Sequence, residues 1–311
     1  SACLFVRNEG IGGAVQPIGG GTFTATRTKF VQNESTQNGG AVVILGASSG
    51  TFKNCLFSEN SATLEGGAIS AGGAAVVEGL NCTFTENSTA SYDAKDLRSA
   101  VTTGSFTVTN SIVAGIDKVV SGDFVSGGHN IVSDTTASNG FGPALINLGA
   151  PRETDIVGPA NARAPPGGIF RDGLLGTIGY TSTAWNAGDT SAAASLTYDL
   201  TGLGRVHGNA VDIGCYEARP DFTVANTADS GTGSLRQACA DANVSTLKDP
   251  WIAFDNEGVF SSPATITLTS TGLTLGAENG FLDGSAAARV QITNTSGGSI
   301  LDLHGCTKQL G

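Results

Sequence analysis

Residues 199–217, DLTGLGRVHGNAVDIGCYE, carry Asp199, Arg205, Asp212 and Glu217, with His207 among them and Asp189 just upstream. Two chemistries suit such a cluster. Paired carboxylates act as general acid and base on glycosidic bonds, and carboxylates also hold calcium. In that reading Asp189, Asp199, Asp212 and His207 are the candidates. Alternatively, one guanidinium among three carboxylates forms bidentate ion pairs that pin a loop.

The remaining reactive side chains are scattered. The six cysteines (Cys3, Cys55, Cys82, Cys215, Cys239 and Cys306) contain no C-x-x-C, and the histidines His129, His207 and His304 are far apart. No zinc site and no cofactor is expected from such spacing. A net charge of −11 with few lysines argues against a phosphate-binding surface, and so against nucleic acid. No apolar run reaches the ~20 residues that span a bilayer. The absence of Met points to a processed chain or a segment of a longer one. Low charge and abundant hydroxyls suit an extracellular or cell-surface location.

These residues must be positioned by some framework, and the first ninety residues show its period. CLFVRN (3–8), TKFVQN (28–33), CLFSEN (55–60) and CTFTEN (82–87) align, so Phe5, Phe30, Phe57 and Phe84 recur in step with Asn8, Asn33, Asn60 and Asn87. IGGAV (11–15), NGGAV (38–42) and EGGAI (65–69) fall between them in the same phase. A repeat this short without helical periodicity cannot bury its own apolar face, but stacked coils can. Each strand then pairs with its equivalent about 4.8 Å away. Phe lands on Phe inside the coil, and Asn on Asn in an amide ladder. The glycine pair supplies the positive φ of a corner. Cys3, Cys55 and Cys82 lie two before Phe, on the same strand face, and read as small core residues. Glu59 and Glu86 read as solvated ladder positions.

The G-G-A-[VI] and F-x-x-N repeats resemble those of chlamydial polymorphic outer membrane proteins, which implies a right-handed parallel β-helix. TVTNSIVAG…SGGHNIVSD (107–134) resembles later coils of pectin-lyase-like bacterial surface proteins with a choice-of-anchor Q domain. The segment 185–217, with its N-A-G-D turn and V-D-I-G-C-Y-E, is similar to that domain's terminus. VANTADSGTGSLRQAC (224–239) is similar to the start of the same architecture. The resemblance thus implies that 1–219 are the middle and end of one β-helix unit, and 220–311 the cap and first coils of the next. It also favours the pinned loop over catalysis, because carbohydrate-active β-helix enzymes build their sites on the side of central coils. No catalytic residue is assigned; a polysaccharide lyase or hydrolase is the alternative.

The expected fold is therefore all-β, a right-handed parallel β-helix solenoid with a short capping α-helix near 234–243. Its ends need covers. Ser234 is placed to N-cap the helix with Gln237 at N3, and Leu235, Ala238, Cys239 and Ala242 share the face that would lie on the first coil. DSGTGS lacks the βαβ context of a phosphate loop. At the other end, the Asp199–Arg205–Asp212–Glu217 cluster would pin the terminal loop. In the resembling families Cys215 and Cys239 are usually small or aliphatic, which suggests a disulfide joining consecutive units. The expected function is an extracellular structural repeat module. Its partners would be further copies of itself, head to tail, covalently in tandem or by strand addition. Five N-x-S/T sequons, at Asn33, Asn81, Asn87, Asn243 and Asn294, leave room for an attached glycan.

Overall fold

A computed structural model of the chain describes residues 2–90, 95–114, 119–132, 156–157, 178, 182–247, 250–255, 258–276, 281–284, 287–297 and 301–302. His304, Cys306 and nearly all of 135–181 lie outside the described residues. The chain divides into two compact units, Ser1–Ala218 and Arg219–Gly311.

The first unit is a parallel β-solenoid whose coils visit four sheets in turn. Sheet I stacks Cys3–Val6, Thr28–Val31, Leu56–Ser58, Thr83–Thr85, Ile112–Ala114, Ile131–Val132 and Ile156–Val157. Sheet IV stacks the two-residue strands Glu9–Gly10, Glu34–Ser35, Ser61–Ala62 and Ser88–Thr89. Sheet II contains Val42–Leu45, Ile69–Gly73, Leu97–Val101 and Val120–Gly122. Sheet III runs through Thr22–Thr26, Ser49–Lys53, Val76–Leu80, Ser105–Thr109 and Val125–Gly128. The register sets Phe5 on Phe30, Phe30 on Phe57 and Phe57 on Phe84.

The corner glycines have two distinct jobs. Gly39 and Gly66 take φ of +68° and +70°, which a side chain rarely adopts. Their successors Gly40 and Gly67 lie so close to neighbouring coils that an added Cβ would approach the Gly67 oxygen to 2.1 Å or the Lys95 oxygen to 2.2 Å. The G-G-A-[VI] motif therefore combines a turn with a close backbone approach.

The second unit is built in the same way on a smaller scale. Phe222–Val224, Trp251–Phe254 and Phe281–Asp283 form one parallel sheet, and Ala264–Leu268 pairs with Val290–Asn294. Leu273–Thr274 pairs with Leu301–Asp302. The helix Leu235–Val244 buries Leu235, Ala238, Cys239 and Ala242 against Val224, Ile252, Phe254 and Leu273. Ser234 caps it, its Oγ accepting from the Gln237 N–H at 3.1 Å. Among the described residues no helix is long and apolar enough to cross a membrane.

Candidate functional site

The interior of the first unit is an aromatic and amide ladder. The rings of Phe5, Phe30, Phe57 and Phe84 stack with centroids 4.9, 4.6 and 4.8 Å apart. Phe52, from sheet III, meets Phe57 edge-on at 5.4 Å. Beside the stack, Asn8 donates through Nδ2 to Asn33 Oδ1 (2.7 Å), Asn33 to Asn60 (2.8 Å) and Asn60 to Asn87 (2.9 Å). The row ends on a carboxylate, Asp96 Oδ1, which accepts from Asn87 at 2.6 Å. The amides of Asn33, Asn60 and Asn87 also donate to the carbonyl of the Phe one coil back, as Asn60 does to Phe30 at 3.0 Å. The Asn60 N–H in turn donates to Asn87 Oδ1 at 2.9 Å. The ladder thus satisfies backbone groups that the corner would otherwise bury unpaired.

Two rows of left-handed residues flank the sheet I strands. Two residues after the Phe, Arg7, Gln32, Glu59 and Glu86 have φ between +52° and +57°. The exposed side chains of the first three are linked, Arg7 Nε donating to Gln32 (2.9 Å) and Gln32 Nε2 to Glu59 (2.7 Å). Three residues before the Phe, or the Val that replaces it, Arg27, Asn54, Asn81, Asn110 and His129 have φ of +48° to +54°. Asn tolerates this conformation best because its short amide bonds locally.

That second row carries a strap, Ser182–Ala218. Asn54 donates to the Tyr198 carbonyl (2.6 Å), Asn81 to those of Asp212 (3.2 Å) and Gly214 (3.5 Å), and Asn110 to that of Asp189 (2.9 Å). His129 Nδ1 bonds the Ala187 carbonyl at 2.7 Å, and the Arg27 guanidinium lies 5.6 Å from the Tyr198 ring centroid. Apolar contacts fill in beneath. Leu56 packs with Leu200, Cys215 and Tyr216, and Leu80 with Ala193, Leu196 and Val211. The glycine of V-D-I-G-C-Y-E is dictated by this docking, because a Cβ on Gly214 would meet Ile112 Cδ1 and Thr83 Oγ1 at 2.8 Å. The closing signature therefore runs along the side of the described coils, whereas the sequence reading set it at their end. The outward row of Asn side chains makes the flank adhesive for backbone, and periodicity alone does not reveal that.

Asp199, Arg205, Asp212 and Glu217 come together inside the strap, all buried. The expected bidentate pairing is not how they bond. Arg205 Nη2 donates to the carbonyls of Asp212 and Gly214, both at 2.7 Å, and its nearest carboxylate oxygen is Glu217 Oε2, 3.6 Å from Nη1. The carboxylates cap backbone instead. Asp199 Oδ1 accepts from the N–H groups of Thr201, Gly202 and Leu203, and Oδ2 from that of Glu217. Asp212 accepts from the N–H groups of Asn186 and Ala218, and Glu217 Oε1 from those of His207 and Asp212. A loop without regular structure must satisfy its buried amides with side chains, and acceptor-only carboxylates do so best. Burial first, then the Asp212 charge, pushes Glu217 up to about 8 against the opposing pull of Arg205. Asp189 is half-buried and caps its own turn, and the Ser191 hydroxyl holds its carboxyl below the usual range.

Cys215 and Cys239 are both buried, each in the core of its own unit, Cys215 beside Leu56 and Cys239 beside Leu235. Burial pushes the Cys215 thiol up to about 12. Cys55 and Cys82 are buried as expected. Cys3 is exposed, because its strand has a neighbour on one side only. Three of the sequons are also closed: Asn33, Asn81 and Asn87 are buried with their amides bonded. Asn243 is exposed but clasped between the Thr274 carbonyl and the Gly276 N–H. Asn294 is half-buried, and its Oδ1 accepts from Ser296.

In the second unit, Asp229 and Arg236 form a clamp that composition and helical spacing did not reveal. Asp229 Oδ2 accepts from the N–H and hydroxyl groups of both Thr269 and Ser270, and Oδ1 from Arg236 Nη2 at 2.7 Å. Arg236 also reaches the carbonyls of Thr271 and Gly272. These bonds hold the Asp229 carboxyl well below its usual range, with Arg236 the largest contributor. The DSGTGSLR run ties the helix entry to a later coil.

Parallel coils with stacked Phe and Asn define the molecule as a β-solenoid. Comparison with protein-family models, curated proteins and solved structures returned no match.

Proposed function

We propose that this chain is an extracellular structural repeat module of a cell-surface fibre, sheath or giant adhesin. Its solenoid would continue, coil on coil, into further copies of itself. The observation that carries the reading is the ladder. Each coil presents the next with the same strand register, the same aromatic face and the same amide acceptor. Among the described residues Cys3–Val6 is the outermost strand of its sheet and pairs on one side, with Phe5 half-buried. Such a contact is heterologous and propagates into a line rather than closing a ring. The resemblance to polymorphic outer membrane protein repeats and to choice-of-anchor Q surface proteins, with their right-handed β-helix, supports the cell-surface setting. The use of Asp189, Asp199 and Asp212 as backbone caps supports a structural role for these candidates of the lyase or hydrolase alternative.

Sedimentation and negative-stain microscopy of the purified chain test the reading. Linear assemblies that grow with concentration are expected, and Phe5→Lys should suppress them while leaving the strand signal in circular dichroism. A concentration-independent monomer would overturn head-to-tail assembly by strand addition.

A further inference from the structure

The strap and the flank share two acceptors. The carbonyls of Asp212 and Gly214 each receive Arg205 Nη2 from within the strap and Asn81 Nδ2 from the coil. Arg205 thus holds the shape of the segment that the flank grips. Arg205 is 1% exposed, and its Nε and Nη1 have no hydrogen-bond acceptor. Glu217 Oε2, at 3.6 Å from Nη1, is the nearest carboxylate oxygen but stops short of a hydrogen bond.

We propose that the strap 182–218 is a proton-controlled latch: with Glu217 protonated it lies closed on the coil flank, and loss of that proton to solvent releases it while the coils stay folded. The groups facing Glu217 set the sign. Within the strap these are Arg205, Asp212, the Asp199 carboxylate on its own N–H, and the His207 backbone N–H on Oε1. Tyr216 and Cys215 adjoin it in sequence, and the titratable groups of the flank beside Cys215 are the Cys55 and Cys82 thiols. With Glu217 ionised, three buried carboxylates face one guanidinium. Like charges repel strongly where water is excluded. Arg205 is then drawn toward Glu217 and away from the two carbonyls, and the 212–215 segment loses the internal bonds that shape it for the flank, where Asn81, the Asn110 carbonyl and the Thr83 hydroxyl hold it. The proton affinity of Glu217, held up to about 8 by burial and by Asp212, places the change in mildly alkaline conditions. Release would uncover Leu56, Leu80 and Ile112, which the closed strap covers.

Cys215 reports the latch, because it is fully buried between strap and coil, whereas Cys55 and Cys82 belong to the coil core. The intact chain is treated with iodoacetamide across pH 6–9, and labelling at each thiol is read by peptide mass spectrometry. Taking Cys215 relative to Cys82 removes the reagent's own pH dependence. In the wild type this ratio should rise about tenfold or more on the way to pH 8, because the ionised fraction of a carboxyl grows about tenfold for each step of one in pH below its midpoint. In Glu217→Gln it should stay low at pH 9. A flat ratio in the wild type overturns the latch, as does an equal rise in Glu217→Gln. Simultaneous labelling of Cys82 and Cys215 also overturns it, because that is unfolding of the coils. Should Glu217→Gln fail to fold, the wild-type ratio decides alone.

Discussion

Asn60 shows how much one residue does in a solenoid. Its amide bridges Asn33 and Asn87, and it also satisfies the Phe30 carbonyl. Removing it takes a hydrogen-bond partner from buried polar groups on both adjoining coils, and a buried group left without one costs about 1–3 kcal/mol. Asn60→Ala should therefore destabilise the first unit by about 3 kcal/mol in denaturant unfolding. Asn8→Ala, at the exposed end of the same row, should cost less than about 1 kcal/mol, because water replaces the lost partner. Equal effects at the two positions would mean that the ladder is not what holds the corner. The left-handed residues beside it follow a similar logic. Glu59 and Glu86 sit at φ of +55° and +57°, which costs a non-glycine residue about 1–2 kcal/mol. The coil holds them there because the adjoining Asn must reach its neighbour.

At the scale of elements, the strap has an unusual pH response. Glu217 binds its proton more tightly folded, at about 8, than at the ordinary 4.5. Between those values the native state holds more protons than the unfolded chain, so stability falls as pH rises from about 4.5 to about 8. Below that window the contribution is fully present, and above it the contribution is lost. Unfolding midpoints of the first unit should therefore decline over this range, and Glu217→Gln should flatten the decline. Asp189 and Asp229 act in the opposite sense at lower pH, because their carboxyls are held below the usual range. The helix Leu235–Val244 is governed by simpler terms. Ser234→Ala removes its cap and should lower the stability of the second unit by about 1 kcal/mol.

For the whole molecule, the two units have separate cores. The first is built around Phe30, Phe57, Phe84 and Ile69, the second around Val224, Ile252, Phe260 and Leu268. Calorimetry should resolve two transitions, and a core substitution should move only its own. Phe57→Ala deletes the centre of the aromatic stack and should cost about 3–5 kcal/mol, lowering one transition while the other stays in place. A shift of both would show that the units melt as one.

The sequence by itself determined the coil. The recurrence of Phe5, Phe30, Phe57 and Phe84 with their Asn partners carries the register, because in-register stacking puts identical residues on one another. The face of the capping helix was equally legible, since Leu235, Ala238, Cys239 and Ala242 follow helical spacing. What only the tertiary structure decided is where the non-repeating parts go. A hint existed in N-[CS]-x-[FV], which recurs at Asn54, Asn81 and Asn110. It does not say that the 182–218 segment docks there, because that contact joins residues more than a hundred positions apart, such as Asn81 and Asp212. The same holds for Arg205, read as a carboxylate partner but bonded to carbonyls, and for Cys215 and Cys239, which lie in different cores. Periodic contacts repeat the same local chemistry and leave a mark in spacing. A single long-range contact occurs once, leaves no period, and is chosen by whichever buried amides and apolar side chains the folded flank exposes.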